Sequence, residues 1–275
     1  SRAWRTGVDE WGRVWRDGVY VDGIVDTTTD LDRYSPPLDH AKLRYDEDHV
    51  RQVRERYPDH CLIFGTHIGP FTAGYMAMGF ERFFTRLFDD PEFAHRLLDA
   101  RTAWCIAMYK EALRLGADVL VLGDDAGHSR GPMISTSMWR DFVLPYHRRI
   151  VAALDAPVIW HSDGNIVPLL STAVEAGFAG IHGLDPIAGV DLGQVKRDFG
   201  RDLALIGNVD VRVLCRDDLD VVRAEVDRCL AQGASGGAGG YMLASCNSIF
   251  DGMDVAAVKE FFRYAEERVT GYWMS

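Results

Sequence analysis

Several features that organise other classes of protein are missing from this chain of 275 residues. Its five cysteines, an odd number, include no Cys-x-x-Cys pair, which argues against a disulfide framework and for a reducing compartment. Lys and Arg form no long cluster and the formal net charge is −11, so the composition argues against nucleic acid or an anionic membrane surface as a partner. No apolar run approaches the roughly twenty residues of a membrane span.

Other absences concern the start of the chain and its complexity. The first four residues, SRAW, show no signal-peptide core, and we expect a cytoplasmic protein. Internal repeats and low-complexity segments are essentially absent. With 47% hydrophobic residues the chain can bury a full core, and residues 1–275 are predicted to form a single domain. Four cysteines beside apolar patterns are interpreted as small core residues, namely Cys61, Cys105, Cys215 and Cys229.

Short apolar runs recur along the chain and predict buried strands. They are rich in Val, Ile and Leu and lack polar alternation, as is typical of strands covered on both faces of a parallel sheet. Long helical segments separate the runs, and this alternation predicts an α/β fold with a parallel sheet. A TIM (β/α)8 barrel, or such a barrel lacking its first β/α unit, is the form that suits the chain length.

The clearest helix prediction covers residues 91–115. Asp90 is a candidate N-cap, Pro91 suits the first helical position and Gly116 suits the end. Further helices are predicted at 136–154, 166–176, 193–199, 218–231 and 254–269, the first of them kinked or interrupted at Pro145. The glycine-rich stretch 233–240 leaves a helix and enters a strand, so it is interpreted as a turn rather than a phosphate-binding loop.

Polar residues follow most of the apolar runs. In a closed barrel of parallel strands the loops after the strands share one face, so side chains scattered in sequence would converge there. Asp124 and Asp125 are candidate catalytic carboxylates that would orient a substrate or manage its proton. His161 and Asp163, with Cys246, are candidate metal or catalytic residues. The candidate substrate-binding residues are His67, Trp160, Asp185, Asn208, Asp210 and Asn247.

Plainer structural interpretations stay open for these residues. Asp124 and Asp125 could cap the next segment or pair with Arg130. His161 and Asp163 could form an ordinary hydrogen-bonded pair. Cys246 alone could be a buried thiol, and His182, within an apolar run, is interpreted as a core residue. His128 suits either a turn or the pocket, whereas five histidines remote from the strand ends carry no predicted function, namely His40, His49, His60, His95 and His147.

An ordered series of short motifs carries a family resemblance. It includes Gly69-Pro70-Phe71, Gly123-Asp124-Asp125, Trp139-Arg140-Asp141-Phe142, His161-Ser162-Asp163-Gly164-Asn165, Gly207-Asn208-Val209-Asp210 and Asn247-Ser248-Ile249. In this order and spacing the chain resembles the uroporphyrinogen decarboxylase superfamily from about residue 9 to residue 272. Within the superfamily it resembles the cobalamin-dependent methyltransferases, of the methylcobamide:coenzyme M methyltransferase and O-demethylase type, a branch that the run Asp9-Glu10-Trp11-Gly12 also suits.

The resemblance implies a TIM barrel that moves a methyl group between a small methylated substrate or thiol and a corrinoid carried by a partner protein. Many such members bind zinc through a His-x-Cys pair after one strand and a further Cys after the last. The matching positions imply His161, Asp163 and Cys246 as zinc ligands, with Asp163 in place of a cysteine. A nitrogen, oxygen and sulfur set remains chemically sound for Zn²⁺.

Two other functions are open. One is a metal-independent lyase of the decarboxylase type, although those enzymes carry an Arg-Gln-Ala-Gly-Arg-Tyr signature that this chain does not match. The other is a degenerate, non-catalytic barrel that binds a small ligand, because a fold does not fix a function.

The length of the N-terminal part is a further departure from the family pattern. Family members usually carry an extra segment ahead of the barrel, and nothing before Asp9 can serve as one. A truncated chain, a shortened natural variant and the use of residues 19–25 as an edge are all open. An unpaired edge would need cover from a partner chain, and a homodimer is one such arrangement.

Overall fold

The computed structural model describes residues 6–66, 68–235 and 240–273, the side chains of 42–44 and 270–273 excepted. His67 and the centre of the glycine-rich stretch therefore lie outside the described residues. The chain forms two compact units. The first combines the described part of Ser1–Asp125 with Ser135–Val158, and the second combines Ala126–Ile134 with the described part of Ile159–Ser275. The single domain over residues 1–275 stays a prediction.

The first unit opens with an antiparallel sheet and continues as a parallel β/α arrangement. The sheet contains β1 (Gly7–Val8), β2 (Arg13–Arg16) and β3 (Val19–Gly23), paired in that order. The helices that follow are α1 (Thr28–Arg33), a 3-10 helix (Leu38–Arg44) and α2 (Glu47–Arg56). The parallel strands are β4 (Ile63–Thr66) and β5 (Val119–Gly123), in register from Ile63 opposite Val119. The remaining helices are α3 (Pro70–Met78), α4 (Phe80–Asp89), α5 (Pro91–Arg114), α6 (Thr136–Phe142) and α7 (Leu144–Ala152).

Helix boundaries in the first unit follow the capping residues in the sequence. The Asp90 side chain accepts a hydrogen bond from the Phe93 backbone N–H at 3.1 Å, which confirms the predicted start of α5. The helix predicted over 136–154 is interrupted, as expected from Pro145. The break falls at Val143, because proline tolerates the first turn of a helix and not its interior.

Aromatic rings fill much of the core of the first unit. Phe71 is fully buried and makes edge-to-face contacts with Tyr75, Phe83 and Trp139 at centroid distances of 5.1 to 5.6 Å. Such contacts stabilise a core by more than the buried area alone. These contacts pack α3 against α4 and α6, and they fix the first turn of α3, where Phe71 lies.

The second unit is a parallel sheet with a helix after each strand. A small antiparallel hairpin, β6 (Gly127–His128) and β7 (Gly131–Pro132), precedes it. The strands are β8 (Val158–Ser162), β9 (Gly180–Gly183), β10 (Ala204–Val209) and β11 (Tyr241–Ser245), paired in that order. The helices are α8 (Leu170–Ala176), α9 (Leu192–Phe199), α10 (Leu219–Gly233) and α11 (Val255–Trp273), with 3-10 helices at Val167–Leu169, Pro186–Ala188 and Val211–Cys215.

These elements confirm the predicted α/β class with parallel strands. The described residues contain six parallel strands, two fewer than a complete (β/α)8 barrel. The helices predicted at 166–176, 193–199, 218–231 and 254–269 are present, the first beginning with a 3-10 turn. Of the helices that the structure describes, none combines the length and the apolarity that crossing a bilayer requires.

The cysteines divide between core and surface. All five lie in the described residues and none forms a disulfide. Cys105 and Cys229 are buried, as predicted. The predicted burial of Cys61 and Cys215 is wrong, since both are exposed. Cys61 precedes the strand β4 and Cys215 ends a 3-10 helix, so neither reaches the interior that the neighbouring apolar residues occupy.

Asp9 holds the turn between β1 and β2 together. Its carboxylate accepts hydrogen bonds from the backbone N–H groups of Trp11 and Arg13, from Arg13 Nε at 2.7 Å and from Trp15 Nε1 at 2.8 Å. Burial alone would raise the pKa of this carboxyl, but the Arg13 charge and the donated hydrogen bonds outweigh burial and lower it below 3.8. The ionised form is therefore stabilised by folding.

We expect Asp9→Asn to lower the free energy of unfolding by about 2 kcal/mol, because an amide nitrogen would face donors that need an acceptor. A depressed carboxyl pKa contributes stability above the unfolded value and loses it as the pH falls through the folded value. The difference between the wild type and the variant, measured by urea unfolding, should therefore shrink below pH 3.8.

Asp17→Asn is the matched control in the same sheet. Asp17 is exposed and has a φ of 50°, a conformation that asparagine also adopts readily. This variant should change the free energy of unfolding by less than about 0.5 kcal/mol. Equal effects of the two substitutions would contradict the role assigned to Asp9.

Candidate active site

Asp124 is the most completely bonded of the predicted catalytic residues. It follows β5 and is fully buried. Its carboxylate accepts hydrogen bonds from the backbone N–H groups of Phe71, at 3.2 Å, and Thr72, at 2.7 Å, at the start of α3. His147 on α7 approaches the same carboxylate through Nε2 at 2.8 Å. The residue thus links three segments of the first unit.

The position of His147 differs from the one predicted from the sequence. It was predicted to lie far from the strand ends without a function, yet it is buried and bonded to Asp124 at the end of β5. The prediction was wrong because α7 packs so that this residue faces inward. The signal in the sequence is the spacing of His147 from Leu144 and Ile150, which lie three residues away on either side and are the other buried residues of this helix.

Asp125 differs from its neighbour in exposure. It is half-buried, and its backbone N–H donates to the Thr72 hydroxyl at 2.8 Å. The backbone of this residue is therefore fixed by the first turn of α3. Of the two aspartates, Asp125 is the one with a carboxylate that solvent can reach, as a group that handles a substrate or its proton requires.

In the second unit, His161 and His182 face each other across β8 and β9. They occupy opposed positions in the parallel register, and their Nδ1 atoms are 2.7 Å apart. Burial first, and the repulsion that a protonated His161 would exert second, lower the pKa of His182 to about 4, so His182 is neutral at neutral pH. His182 is half-buried rather than fully in the core, which corrects its interpretation as a core residue.

The partners of His182 determine which nitrogen of each ring carries a proton. His182 also hydrogen-bonds the Ser245 backbone, in a bond that raises its pKa and therefore has the ring as donor. Its Nδ1 faces His161, so Nε2 donates to Ser245 and Nδ1 accepts. His161 then donates through Nδ1, and in its neutral form the lone pair lies on Nε2.

The acceptor nitrogen of His161 lies beside a carboxylate. His161 Nε2 is 3.6 Å from Asp163 Oδ1, and that oxygen accepts a hydrogen bond from Asn247 Nδ2 at 2.9 Å. Gly164, with a φ of 77°, allows the turn after Asp163, since a Cβ there would lie 2.6 Å from the Gly127 carbonyl carbon. The structure thus brings together His161, Asp163 and Asn247, which were predicted separately.

Cys246 lies in a different environment. It is buried in the apolar cluster of the second unit with Val209, Val211 and Leu214. Burial is the main cause that raises its pKa to about 11. Within the described residues its Sγ does not lie within 4.8 Å of the donor atoms of both His161 and Asp163. The three-ligand set of His161, Asp163 and Cys246 stays a prediction, of which two members meet in the structure.

Other predicted substrate residues are engaged in the fold itself. Asp185 caps a 3-10 helix through the Ile187 backbone N–H, and Asp210 does the same through Arg212. Asn208 is fully buried and bonds the Leu184 carbonyl. Trp160 is fully buried beside Phe178, and His67 lies outside the described residues. Their roles in substrate binding stay predictions.

The residues of the second unit fit part of a metal site. An imidazole nitrogen and a carboxylate oxygen 3.6 Å apart are two ligand types that a divalent cation takes, provided that His161 is neutral. Each also has the outer partner that metal ligands usually have, His182 for His161 and Asn247 for Asp163. Zinc takes these ligand types, and sites of three or four protein ligands are usual, so the pair accounts for two positions.

Parallel β/α units with polar residues after the strands are typical of barrel-type α/β proteins. The profile of the family "Uroporphyrinogen decarboxylase (URO-D)" matches residues 14–268. The chain therefore belongs to the uroporphyrinogen decarboxylase (URO-D) family.

Individual relatives carry two different activities in their names. The chain is 29% identical over 233 residues to a uroporphyrinogen decarboxylase of Pseudomonas fluorescens, covering 80% of this chain and 63% of the relative. It is 32% identical over 163 residues to a methylated-thiol–coenzyme M methyltransferase of Methanosarcina mazei, covering 59% of this chain and 42% of the relative. The chain thus spans less than two thirds of the length of either relative.

The fold also matches a solved structure. A methyltransferase from Methanosarcina mazei superposes with a TM-score of 0.68 at 22% identity, covering 88% of this chain and 67% of that one. The superposition shows that the two chains share a fold, and at this sequence identity it shows the fold alone.

The bonds of Asp124 predict a large effect on stability. We expect Asp124→Asn to lower the free energy of unfolding by about 3 kcal/mol, because its amide nitrogen would oppose buried N–H donors and disrupt the pairing with His147. Urea unfolding followed by circular dichroism measures the change. Asp125→Asn is the matched control and should cost less than about 1 kcal/mol. Similar losses for both variants would contradict a structural anchor at Asp124.

Proposed function

We propose that this protein is a methyltransferase that moves a methyl group between a small methylated substrate or thiol and a corrinoid carried by a partner protein. The observation that carries the proposal is the approach of His161 Nε2 to Asp163 Oδ1 at 3.6 Å, with each side chain bonded to its own partner. A metal-assisted transfer needs such a pair, whereas the decarboxylases of the family, by the resemblance, need no metal.

His182 acts on the orientation of His161. As a neutral imidazole, His182 accepts a hydrogen bond from the Nδ1–H of His161 and donates one from its own Nε2–H to the Ser245 carbonyl. This chain of bonds keeps the His161 lone pair on Nε2, on the side of Asp163. Asn247 in turn fixes one Asp163 oxygen, so the carboxylate cannot rotate freely.

His161 and Asp163 would hold zinc together with a further ligand. Bound zinc supplies Lewis acidity, which lowers the basicity of a methoxy oxygen or thiol sulfur that it contacts. A corrinoid carried by the partner protein would supply or take up the methyl group, while the residues of this chain would hold and orient the substrate sulfur or oxygen. A thiol substrate would have to lose its proton to a base, and the half-buried Asp125 is the candidate among the two predicted catalytic aspartates.

The similarity to a decarboxylase makes decarboxylation the second candidate activity. The Pseudomonas fluorescens decarboxylase aligns with more of this chain than the Methanosarcina mazei methyltransferase does. The arginine signature that would bind a tetrapyrrole is missing from the sequence. A substrate with many carboxylates needs such cations, so we favour methyl transfer.

The first test measures zinc and methyl transfer on the same protein. After exposure to zinc and dialysis, we expect about one zinc per chain by mass spectrometry. With free methylcobalamin and 2-mercaptoethanesulfonate, the visible spectrum should show loss of the cobalt-bound methyl group. Asn247→Ala and His182→Ala should each weaken zinc affinity about 10- to 100-fold, because both remove an outer partner of a ligand.

His49→Ala is the matched control, since His49 is exposed on α2 and was predicted to have no function. Its zinc content and rate should equal those of the wild type. No retained zinc in the folded wild type would overturn the mechanism. Release of carbon dioxide from uroporphyrinogen without methyl transfer would assign the chain to the decarboxylase activity instead, and neither activity with any substrate would favour a non-catalytic barrel.

A further inference from the structure

The turn that carries Asp163 is held by side chains that the proposed mechanism does not use. It runs from the end of β8 to the 3-10 helix Val167–Leu169. Ser162, directly before Asp163, is fully buried, and Asn165, two residues after it, is half-buried. The hydrogen bonds of these two residues determine how the turn is held.

The Ser162 hydroxyl is both a donor and an acceptor inside the protein. It donates a hydrogen bond to the Asp163 carbonyl at 3.0 Å and accepts one from the Ala126 backbone N–H at 2.9 Å. Because a hydroxyl carries a single proton, these two bonds fix its orientation. Ser162 therefore holds the peptide group that follows Asp163 and connects it to the chain segment that enters the hairpin of β6 and β7.

The hairpin of β6 and β7 packs directly against the same turn. A Cβ at Gly127 would lie 2.7 Å from the Asp163 carbonyl oxygen, and a Cβ at Gly164 would lie 2.7 Å from the His128 backbone nitrogen. The two backbones thus approach each other more closely than side chains at these positions would allow. Asn165 adds a bond to this contact, because its backbone N–H donates to the His128 carbonyl at 3.0 Å.

The Asn165 side chain fixes the far end of the turn. Its Nδ2 donates to the Ala188 carbonyl at 3.2 Å, in the segment after β9, and its Oδ1 accepts from the Val167 backbone N–H at 3.2 Å. The turn is therefore bonded both to the hairpin and to the segment after β9. All of these contacts lie within the second unit, which combines Ala126–Ile134 with the described residues from Ile159 onward.

We propose that Ser162 and Asn165 are positioning residues that hold the backbone around Asp163 in the conformation that zinc binding requires. These roles rest on the proposed zinc site, since the 3.6 Å approach of His161 Nε2 to Asp163 Oδ1 depends on that backbone. Asn247 fixes the end of the Asp163 side chain, whereas the two positioning residues fix its origin. A side chain fixed at both ends loses less conformational freedom when it binds a cation, so its affinity for the cation is higher.

A purely structural role of Ser162 predicts a different result. In that case the hydroxyl serves only as the acceptor of a buried backbone N–H, and its removal lowers stability without a specific effect on metal affinity. Thr172 separates the two roles. It is buried in the same unit, and its hydroxyl donates to the Leu169 carbonyl at 2.6 Å, a bond that involves no residue of the turn.

Zinc affinity of the full chain, measured by competition with a chromophoric chelator, tests the positioning role. We expect Ser162→Ala and Asn165→Ala each to raise the zinc Kd about tenfold, the lower end of the effect of losing an outer partner of a metal ligand. Thr172→Val, which removes a buried hydroxyl, is the matched control and should keep the wild-type Kd. In the zinc-free protein, amide hydrogen exchange of the peptide spanning residues 162–167 should be faster in the first two variants and unchanged in the control.

Failure of the zinc site and failure of the positioning role have different signatures. A folded wild type that binds no zinc overturns both. A wild type that binds zinc, with an unchanged Kd in Ser162→Ala and Asn165→Ala, overturns the positioning role alone, and so does an equal loss of affinity in Thr172→Val. Circular dichroism shows whether each variant folds. If Ser162→Ala does not fold, Asn165→Ala decides the matter, because Asn165 is only half-buried.

Discussion

A carboxylate without access to water must receive hydrogen bonds from the protein, and the first unit is arranged around one such group, Asp124. The start of α3 supplies two backbone donors to it and α7 supplies His147. Gly69 permits this approach, because a Cβ at that position would lie 2.5 Å from the Asp124 side chain. The end of β5, the entry to α3 and the orientation of α7 thus depend on the same buried charge.

The second unit orders its polar residues in a different way. Its chain of bonds runs from the Ser245 carbonyl through two imidazoles to the lone pair of His161. Asp124 has its acceptor capacity used by internal donors, whereas His161 and Asp163 present two acceptors to each other. Internal donors make Asp124 an anchor. The His161 and Asp163 pair is suited to the proposed cation when His161 is neutral, so the two aspartates differ in their partners although both follow a strand.

Much of the fold could be predicted from local signals in the sequence, and the site only in part. Proline, glycine and capping aspartates indicated where α5 begins and where the helix over 136–154 breaks, because these effects act within one turn. The partners of a buried side chain depend on how distant segments pack. The sequence therefore suggested His161 and Asp163, but not His182 or His147, whose contacts come from a neighbouring strand and from a helix more than twenty residues away.

Arg101 shows the same limit from the other direction. An arginine in an amphipathic helix predicts a solvent-facing side chain, but the carbonyls of Trp11 and Tyr34, from segments distant in sequence, bind Arg101 in a buried position.

The orientation of the Asp163 carboxylate bears on whether the site around it can bind a metal. A thiolate ligand presents one atom, whereas a carboxylate presents two oxygens that rotate, so the change to aspartate requires something to hold the group in one orientation. Asn247 does this through a hydrogen bond of 2.9 Å, and it reaches Asp163 from 84 positions further along the chain. A fixed carboxylate orientation is what the proposed metal site would require of Asp163. The hydrogen bond between Asn247 and Asp163 therefore supports the proposed site over a non-catalytic barrel.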